Sequence, residues 1–408
     1  MSRAALRNLV LLWLAWAIIL SAFQFLVKNR FQVVKPDFAL DWTASLTGPR
    51  SQNDKPYLID PFMNAKVSFD SIFYISIALA GYDDPVAPLV RGDDGTTLSM
   101  NYAFFPFYSV MMRLFMVPLG WLSLTPTATA TLAGVIVSLL GTLVAMLALY
   151  DLTVADLDEK GALRTAFYLL IFPTGFFLGT VFTEGLFTGM AFGSLALARR
   201  KKYLWAGLLA AAAALTRAVG VFLVVPLAAA ILLEEWPSLR GRAWHKRMLP
   251  EAAGILLPLA AMGTWYLSPL AAKFRYVEEN YFGQGFLQIG ASWQAWKEAF
   301  RTMLYWTNPQ TSAYYLIEFG CMALALLSAL FILKKYPWVA LFSLLALLIP
   351  LTSGAPQSLN RYVLACPSIF IFLSRMGKNE IYDRLWSTTS IMVMGMLLTL
   401  FTYDMWVA

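Results

Sequence analysis

Apolar runs recur along the whole sequence, and they limit the possible folds more than any other feature. The first run, from Leu9 to Val27, holds roughly 19 residues, about the length that an α-helix needs to cross a bilayer. Ten further runs follow, at 127–150, 163–181, 183–198, 203–216, 218–233, 250–268, 314–333, 337–352, 361–376 and 388–406. Several are shorter than about 17 residues, so we expect them to be tilted or packed against neighbours. The pattern predicts an all-α polytopic membrane protein with about 11 transmembrane helices.

The composition agrees with this class and excludes others. Hydrophobic residues make up 59% of the chain and charged residues only 13%, so we expect one integral membrane domain over residues 1–408. The formal net charge of +7 does not indicate nucleic-acid binding, because the basic residues gather in short loops between apolar runs. His245 is the only histidine, which excludes a histidine-based metal site.

The basic residues predict the orientation of the chain. Arg3 and Arg7 precede the first apolar run, so the positive-inside rule places the N-terminus in the cytoplasm, ahead of an uncleaved signal anchor. The basic connections should also be cytoplasmic, and they lie at 198–202, 240–247, 334–335 and 375–378. This orientation holds only if 101–120 does not cross the membrane. We therefore expect a re-entrant or juxtamembrane helix there, broken at Pro106 and Pro118.

Two long polar segments are then extracytoplasmic. The first loop spans 28–126 and carries juxtamembrane helices, and the second spans 271–312. The acidic and aromatic residues of the second loop either line an acceptor groove or lie along the membrane surface: Glu278, Glu279, Tyr281, Trp293 and Trp296. We expect a multi-pass protein of the plasma membrane with its active site on the outer face.

Polar residues from distant parts of the sequence map to this same outer rim. They are Asp70, Asn101, Tyr102, the Thr-Glu-Gly turn at 183–185, Arg217, Asn360 and Arg361. Charged residues at or inside membrane spans are costly and usually face a cavity. Glu184, Arg217 and Arg361 are therefore candidates for a functional site.

Asp70 stands at the head of the amphipathic stretch FDSIFYISIALAGY, between Phe69 and Tyr82. Two interpretations remain open for it, a general base at the mouth of the protein and an N-cap of the helix that follows. The other charges also have two interpretations. Glu184 is either a site residue or a solvated turn residue, and the arginines Arg217 and Arg361 either bind a ligand or extend to lipid head groups.

The missing motifs indicate a lipid as the donor of a transferred group. The sequence has no Gly-rich phosphate loop and no convincing acidic pair of the kind that sugar-nucleotide enzymes use. A polyprenyl-phosphate sugar can lie with its tail in the membrane and its phosphate against arginines at the rim. A single carboxylate then deprotonates an acceptor hydroxyl, which attacks the anomeric carbon with inversion. No cofactor or metal is expected, although Asp70 with Glu184 is the one acid pair able to hold a metal if the fold brings them together.

Two other function classes are weighed against this transferase. A lipid or solute transporter or flippase should show paired inverted repeats with broken helices near the midplane, and the sequence shows no such symmetry. A purely structural partner in a membrane complex gives no reason for acids, arginines and a long outer loop to converge.

Three blocks between 69 and 221 also resemble a known family. FDSIFYISIALAGY followed by NYAFFPFY is similar to the signature of the second mannosyltransferase of glycosylphosphatidylinositol synthesis, the PIG-V family. FPTGFFLGTVFTEGLFTGMAF resembles the second block of that family, and LTRAVG resembles its third. Phe69, Ser109 and Val219 depart from the family pattern, and these departures concern the acceptor more than the reaction.

The resemblance implies a GT-C glycosyltransferase fold, with a hexose, mannose in this family, moved from a polyprenyl-phosphate donor to a glycan, lipid or protein acceptor. It marks Asp70 as the base and Glu184 as a second catalytic acid. The donor and its phosphate are then expected at Arg217, Arg361, Asn101, Tyr74 and Tyr102.

Overall fold

The computed structural model describes residues 1–51, 55–58, 60, 62–235, 244–285 and 287–408, with side chains described in these ranges apart from 56, 233–235 and 244–252. The basic connection predicted at 240–247, with His245, lies outside the described side chains. The α-helices are α1 (Arg3–Arg30), α2 (Thr43–Leu46), α3 (Ser71–Leu79), α4 (Pro106–Leu119), α5 (Pro126–Leu170), α6 (Glu184–Arg199), α7 (Tyr203–Ala214), α8 (Val224–Glu235), α9 (Trp244–Tyr266), α10 (Ala271–Tyr281), α11 (Ile289–Tyr305), α12 (Pro309–Ile332), α13 (Pro337–Thr352), α14 (Leu359–Tyr362), α15 (Pro367–Met376) and α16 (Glu380–Thr402).

The fold is mostly helical, as the sequence predicts, with one small exception. Strands β1 (Leu89–Arg91) and β2 (Thr97–Ser99) form an antiparallel hairpin in which Val90 pairs with Leu98. Asp94 closes its turn by accepting hydrogen bonds from the backbone and hydroxyl of Thr96.

Local sequence signals set the starts of the long helices. Thr125 caps α5 by accepting from the Ala128 amide, and Pro126 takes the first helical position, where its missing N–H costs nothing. Asn308 in the same way caps α12, which also begins with proline. Both helices therefore begin with a side-chain N-cap followed by proline.

The predicted count of eleven membrane spans is not confirmed. Among the described residues, four helices are long and apolar enough to cross a membrane: α1, α5, α12 and α16. A fifth span results if the bent pair Ala253–Tyr266 and Ala271–Tyr281 counts as one. Other apolar runs form shorter helices; α7 has 12 residues, which at ~1.5 Å rise per residue extends only about 18 Å.

One apolar run leaves the α-helical conformation part-way along its length. The runs at 127–150 and 163–181 form two helices that meet within α5 at a kink at Asp158 (φ 60°, ψ −177°), and the second of them ends at Leu170. The next residues, 171–183, leave the α-helical conformation and are almost all buried, with a 3-10 helix at Gly175–Gly179. Ser138 and Thr142 of α5 donate to the carbonyls of Phe182 and Leu178 in this stretch, at 2.9 and 2.7 Å. Hydroxyl groups on a neighbouring helix thus satisfy carbonyl groups of a buried backbone that does not continue as an α-helix.

The start of α6, which follows this segment, packs closely against α5. A Cβ on Gly185 would lie 2.3 Å from the Ser138 carbonyl oxygen, and one on Gly141 would lie 2.4 Å from the Gly185 carbonyl oxygen. Only glycine lets the two backbones approach this closely. The approach fixes where α6 begins, and so where Glu184 lies.

The segment 101–120 is broken at Pro106, as predicted, but not at Pro118. A 3-10 helix ends at Ala103, Phe104 and Phe105 are extended, and Pro106 begins α4, where its missing N–H costs nothing. Pro118 lies in the last turn of α4, which runs unbroken over 14 residues. The sharp bend occurs elsewhere, between α9 and α10, at 84°. Because α10 does not continue the direction of α9, we place α10 outside the spanning segments.

The described basic connections gather at one end of the helical bundle, together with the N-terminus. Lys335 forms an ion pair with Asp156, and Arg375 lies 3.8 Å from the same carboxylate. Ser2 donates to Glu159, in the same acidic stretch of α5, at 3.4 Å. The shared end that positive charge predicts is therefore present in the fold.

The opposite end carries the residues around Asp70. Lys28, in the last turn of α1, donates to Asn64, and Asp404, just after α16, accepts from Ser68 at 2.8 Å. Since α1 and α16 both start at the basic end, Asp70 lies across the bundle from that end. The assignment of this end to the outer face of a plasma membrane stays a prediction.

Candidate functional site

A cavity of about 310 Å³ opens at the Asp70 end of the bundle. Its walls come from the start of α3, the start of α6, the segment after α7, α10, the end of α13, α14 and the segment after α16. Among the residues that line it are Asp70, Tyr74, Thr183, Glu184, Arg217, Arg275, Glu278, Glu279, Gln357, Arg361, Tyr362 and Trp406. Predicted site residues from four separate parts of the sequence therefore share one cavity.

Asp70 occupies the N-cap position of α3 without capping it. Its side chain accepts no hydrogen bond from the first turn of the helix. It accepts instead from Arg361, with 2.7 Å between Nη1 and Oδ2. The carboxylate keeps 20% side-chain exposure toward the cavity. The N-cap interpretation is therefore wrong, and Asp70 presents a carboxylate to a ligand space.

Arg361 lies between the two acids and is buried. Its Nε is 3.4 Å from Oε1 of Glu184, while its Nη1 holds Asp70. The guanidinium also lies 5.2 Å from the ring centroid of Phe182 and 5.4 Å from that of Tyr362. With 7% side-chain exposure and these partners, Arg361 does not extend to lipid head groups.

Glu184 and Arg217 form a second, deeper ion pair. Arg217 Nη1 donates to Glu184 Oε1 and lies 3.3 Å from the Thr183 hydroxyl. Glu184 is only 2% exposed, which excludes a solvated turn residue. Its second oxygen, Oε2, is buried without a hydrogen-bond partner among the described residues. Since Arg217 donates to one oxygen and no described group donates to the other, this carboxylate retains acceptor capacity in the site.

The four charges balance one another. Asp70 and Glu184 carry two negative charges, and Arg217 and Arg361 carry two positive charges in alternating contact. Arg361 separates the two acids, so they do not form a pair open to a metal. Among the described residues no group of three or more His, Cys, Asp or Glu side chains is placed to hold a metal ion.

Of the remaining predicted residues, the structure brings Tyr74 to the cavity but not Asn101 or Tyr102. Tyr74 lines the wall beside Asp70. Asn101 is fully buried and donates to the Ser76 hydroxyl at 2.6 Å and to the Gly81 carbonyl at 3.0 Å, which holds the end of α3. Tyr102 donates to Asp83 at 2.5 Å. The NYAFFPFY motif contributes Phe104 and Phe105 to the lining instead, while Asn101 holds the end of α3 and Tyr102 holds Asp83.

The second loop supplies two acids to the cavity through α10. Glu278 and Glu279 both line it, which favours the groove interpretation for these two residues. Burial and the nearby Asp70 raise the pKa of Glu278 to about 8. Both causes disfavour the charged form of this carboxyl.

The same loop closes over the segment that precedes α14. The Gly285 amide donates to the Ser353 carbonyl, and the Gln288 amide donates to Thr352, both at 2.8 Å. The Gly354 amide donates to the Ser292 hydroxyl at 2.9 Å. This contact makes the polar stretch 353–358 part of the cavity wall, including residues that the sequence analysis missed.

Gln357 and Trp406 are the clearest of the missed lining residues. The sequence could have pointed to Gln357, since it lies in a polar stretch that interrupts an apolar region close to Arg361. It gave no indication for Trp406, because a tryptophan near the end of an apolar run is ordinary at a membrane interface.

Comparison with known proteins finds similar structures but no family to which the chain belongs. No protein-family model matches the chain, and no curated protein matches it. The resemblance of the three blocks to the second mannosyltransferase family is therefore not confirmed.

Several solved membrane-protein structures are similar to the chain at low identity. ArnT from Cupriavidus metallidurans bound to undecaprenyl phosphate has a TM-score of 0.49 and 12% identity, over 97% of this chain and 76% of that one. The same protein in the apo state has a TM-score of 0.46 and 15% identity, with the same coverage. The oligosaccharyltransferase AglB from Archaeoglobus fulgidus, in complex with an inhibitory peptide and a dolichol-phosphate, has a TM-score of 0.41 and 14% identity, over 96% of this chain and 55% of that one. At these values the chain is not assigned to a family.

Proposed function

We propose that this protein is an inverting glycosyltransferase of the GT-C type, which moves a hexose from a polyprenyl-phosphate-linked donor to an acceptor hydroxyl at the outer membrane face. The observation that carries the proposal is the contact of Asp70 and Arg361 at the wall of one cavity, beside Glu184 and Arg217. It provides a carboxylate to accept a proton and two guanidinium groups for an anion within one site. Mannose is the proposed sugar on the resemblance of the sequence blocks alone.

The cavity suits a sugar phosphate in size and in polarity. Its volume of about 310 Å³ lies at the lower end of the roughly 300–1,000 Å³ of small-molecule sites. Carboxyl, amide and hydroxyl groups of Glu279, Gln357 and Ser358 line it together with aromatic rings. Sugars are held by such groups, with hydrogen bonds to their hydroxyls and rings against their apolar faces.

The transfer uses the carboxylate on one side and the cations on the other. Asp70 accepts the proton of the acceptor hydroxyl while the acceptor oxygen forms its bond to the anomeric carbon. The bond from that carbon to the phosphate oxygen breaks with its electron pair on the phosphate. Arg361 and Arg217 stabilise the charge that develops there, so polyprenyl phosphate leaves without needing a strong general acid.

Asp70 and a donor phosphate compete for the same guanidinium. Arg361 Nη1 donates to Asp70 Oδ2 at 2.7 Å, and a phosphate that binds Arg361 takes the same N–H groups. Donor binding thus releases the Asp70 carboxylate from Arg361, and the acceptor reacts after the donor is bound.

The test is release of polyprenyl phosphate by purified protein in nanodiscs. The probe is polyprenyl-phosphate mannose labelled in the sugar, with the glucose analogue in parallel and a membrane extract as acceptor source. We expect Asp70→Asn to fold normally and to lower the rate by about 10²–10⁴-fold, the usual contribution of a positioned base. Asp41→Asn is the matched control, because Asp41 is an exposed acid outside the cavity lining.

Two outcomes contradict the proposal. Full activity in Asp70→Asn removes Asp70 from the base role. Movement of the labelled lipid across a proteoliposome membrane, with no polyprenyl phosphate released, replaces the transferase with the transporter or flippase.

A further inference from the structure

The segment after α16, residues 403–408, folds back beneath the cavity and contacts both neighbours of the Asp70–Arg361 pair. It contacts Phe69, which precedes Asp70, and Asn360, which precedes Arg361. We infer that Asp404 is a positioning residue, and that the segment 404–407 holds the Asp70 carboxylate and the Arg361 guanidinium in register. The inference rests on the proposed function for its meaning in catalysis.

Asp404 holds the turn that leads into Asp70. Its Oδ1 accepts from the Ser68 hydroxyl at 2.8 Å and from the Phe69 amide at 3.4 Å. Phe69 has φ +41°, a left-handed conformation that a bulky residue adopts only when its surroundings impose it. The direction in which Asp70 leaves this turn therefore depends on the acceptor that Asp404 supplies.

Lys55 contacts the same turn and also Asp404. Its ammonium pairs with the other oxygen of Asp404 and lies 4.7 Å from the ring centroid of Phe69. Asp404 itself is fully buried. A buried carboxylate with a cation on one oxygen and two donors on the other has a fixed orientation.

The other end of the segment holds the residue before Arg361. Asn360 donates from Nδ2 to the Val407 carbonyl at 3.0 Å. The Trp406 amide donates to the buried Asp37 carboxylate at 2.8 Å, which fixes the backbone between Asp404 and Val407. The Trp406 ring packs edge-on against Phe69, with 4.8 Å between centroids, and lines the cavity.

These contacts close a ring through the site. Asp70 is bonded to Phe69, which contacts Asp404; Val407 contacts Asn360, which is bonded to Arg361; and Arg361 returns to Asp70 at 2.7 Å. Without the segment, the two halves of the ion pair depend on α3 and α14 separately. A displacement of about 1 Å at reacting groups costs roughly 10²-fold in rate, so the ring matters for catalysis as well as for stability.

The experiment compares Asp404→Ala with Asp156→Ala. The control removes a partly buried carboxylate that pairs with Lys335 at the opposite end of the bundle. Transfer rates are measured across donor concentration, and unfolding temperatures are measured for each variant. We expect Asp404→Ala to lower kcat about 10- to 100-fold with little change in KM, because Asp70 and Arg361 are displaced relative to each other. Asp156→Ala should lose stability and keep both kcat and KM.

The double variant Lys55→Met with Asp404→Asn guards against misfolding. It removes the buried charges together and keeps an acceptor oxygen for Ser68 and Phe69, so it should recover most of the kcat that Asp404→Ala loses. If the double variant is as slow as Asp404→Ala while both fold normally, the acceptor role of Asp404 is overturned.

A readout that needs no activity separates this inference from the proposed function. Amide hydrogen exchange should become faster in Asp404→Ala at both 68–73 and 359–363, and at neither in Asp156→Ala. Unchanged exchange at either segment overturns the ring. If exchange rises at both while wild-type protein transfers no sugar, the ring stands and the transferase proposal fails.

Discussion

Arg361 donates to Asp70 across 291 positions of sequence, with 2.7 Å between Nη1 and Oδ2. The same guanidinium lies 3.4 Å from Glu184. An arginine so placed orders the whole site, because its fixed fork holds one acid at the cavity wall and another beneath it.

Removing Glu184 alone should destabilise the protein more than removing it together with its partner. Glu184→Gln leaves Arg217 without its closest carboxylate, and breaking one side of a buried pair costs about 3–5 kcal/mol. The double variant Glu184→Gln with Arg217→Met should cost less than the sum of the single variants. Chemical unfolding of all four proteins measures this coupling. Strict additivity would show that the pair contributes no interaction energy.

Arg361→Lys should weaken binding of polyprenyl phosphate about 10- to 100-fold. Lysine keeps the charge but loses the planar fork that matches phosphate oxygens. Direct binding to protein in nanodiscs measures the effect. Arg301→Lys is the control, because Arg301 is exposed and pairs only loosely with Glu298 at 3.9 Å. Equal affinity in Arg361→Lys and wild type would place the phosphate elsewhere.

Glu278 should make stability fall as pH rises. Its pKa in the folded protein is raised from 4.5 to about 8 by burial and by the nearby Asp70. A raised pKa means that the folded state binds the proton more tightly than the unfolded state does. The contribution to stability is therefore fully present below about pH 4.5 and is lost as pH rises through about 8.

Glu278→Gln should remove this dependence, since the amide stays neutral throughout. Unfolding temperatures of the two proteins between pH 5 and about 9 make the comparison, and the difference between them should change in favour of the variant as pH rises. Parallel curves would show that Glu278 ionises normally in the fold. Glu279→Gln, which alters the exposed neighbour on the same helix, is the matched variant.

Gly185→Ala should destabilise the start of α6. The added Cβ meets the Ser138 carbonyl oxygen at 2.3 Å, and overpacking of this kind costs about 1–3 kcal/mol. Gly320→Ala on α12 is the control, since no atom lies within 4 Å of its added Cβ. That substitution should be neutral or slightly stabilising through helix propensity. A stable Gly185→Ala protein would contradict the close approach of α5 and α6.

Much of the site could be anticipated because charge in an apolar chain is itself a signal. Glu184, Arg217 and Arg361 stood out since burial of such residues in lipid is costly, and all three lie at one cavity. Asn101 and Tyr102 stood out through a motif, yet the structure uses them to hold backbone and a neighbouring acid. A motif reports that a residue type is needed, but not which group it contacts.

The number of membrane spans was harder to predict than their existence. Hydropathy counts apolar residues, and it does not register where a buried stretch leaves the helix. Residues 171–183 read as helix by composition, but the hydroxyls of Ser138 and Thr142 satisfy their backbone in an irregular path. These hydroxyl groups belong to another part of the chain, so the sequence of 171–183 does not indicate them.

The sequence by itself was enough to predict an apolar helical fold and the gathering of its basic connections at one end, because composition and charge act through each segment's own contact with lipid or water. The tertiary structure alone decided the pairing of Asp70 with Arg361 and the grip of Asp404 on Phe69. These contacts join positions hundreds of residues apart, and their energy depends on how the helices pack rather than on any stretch that forms them.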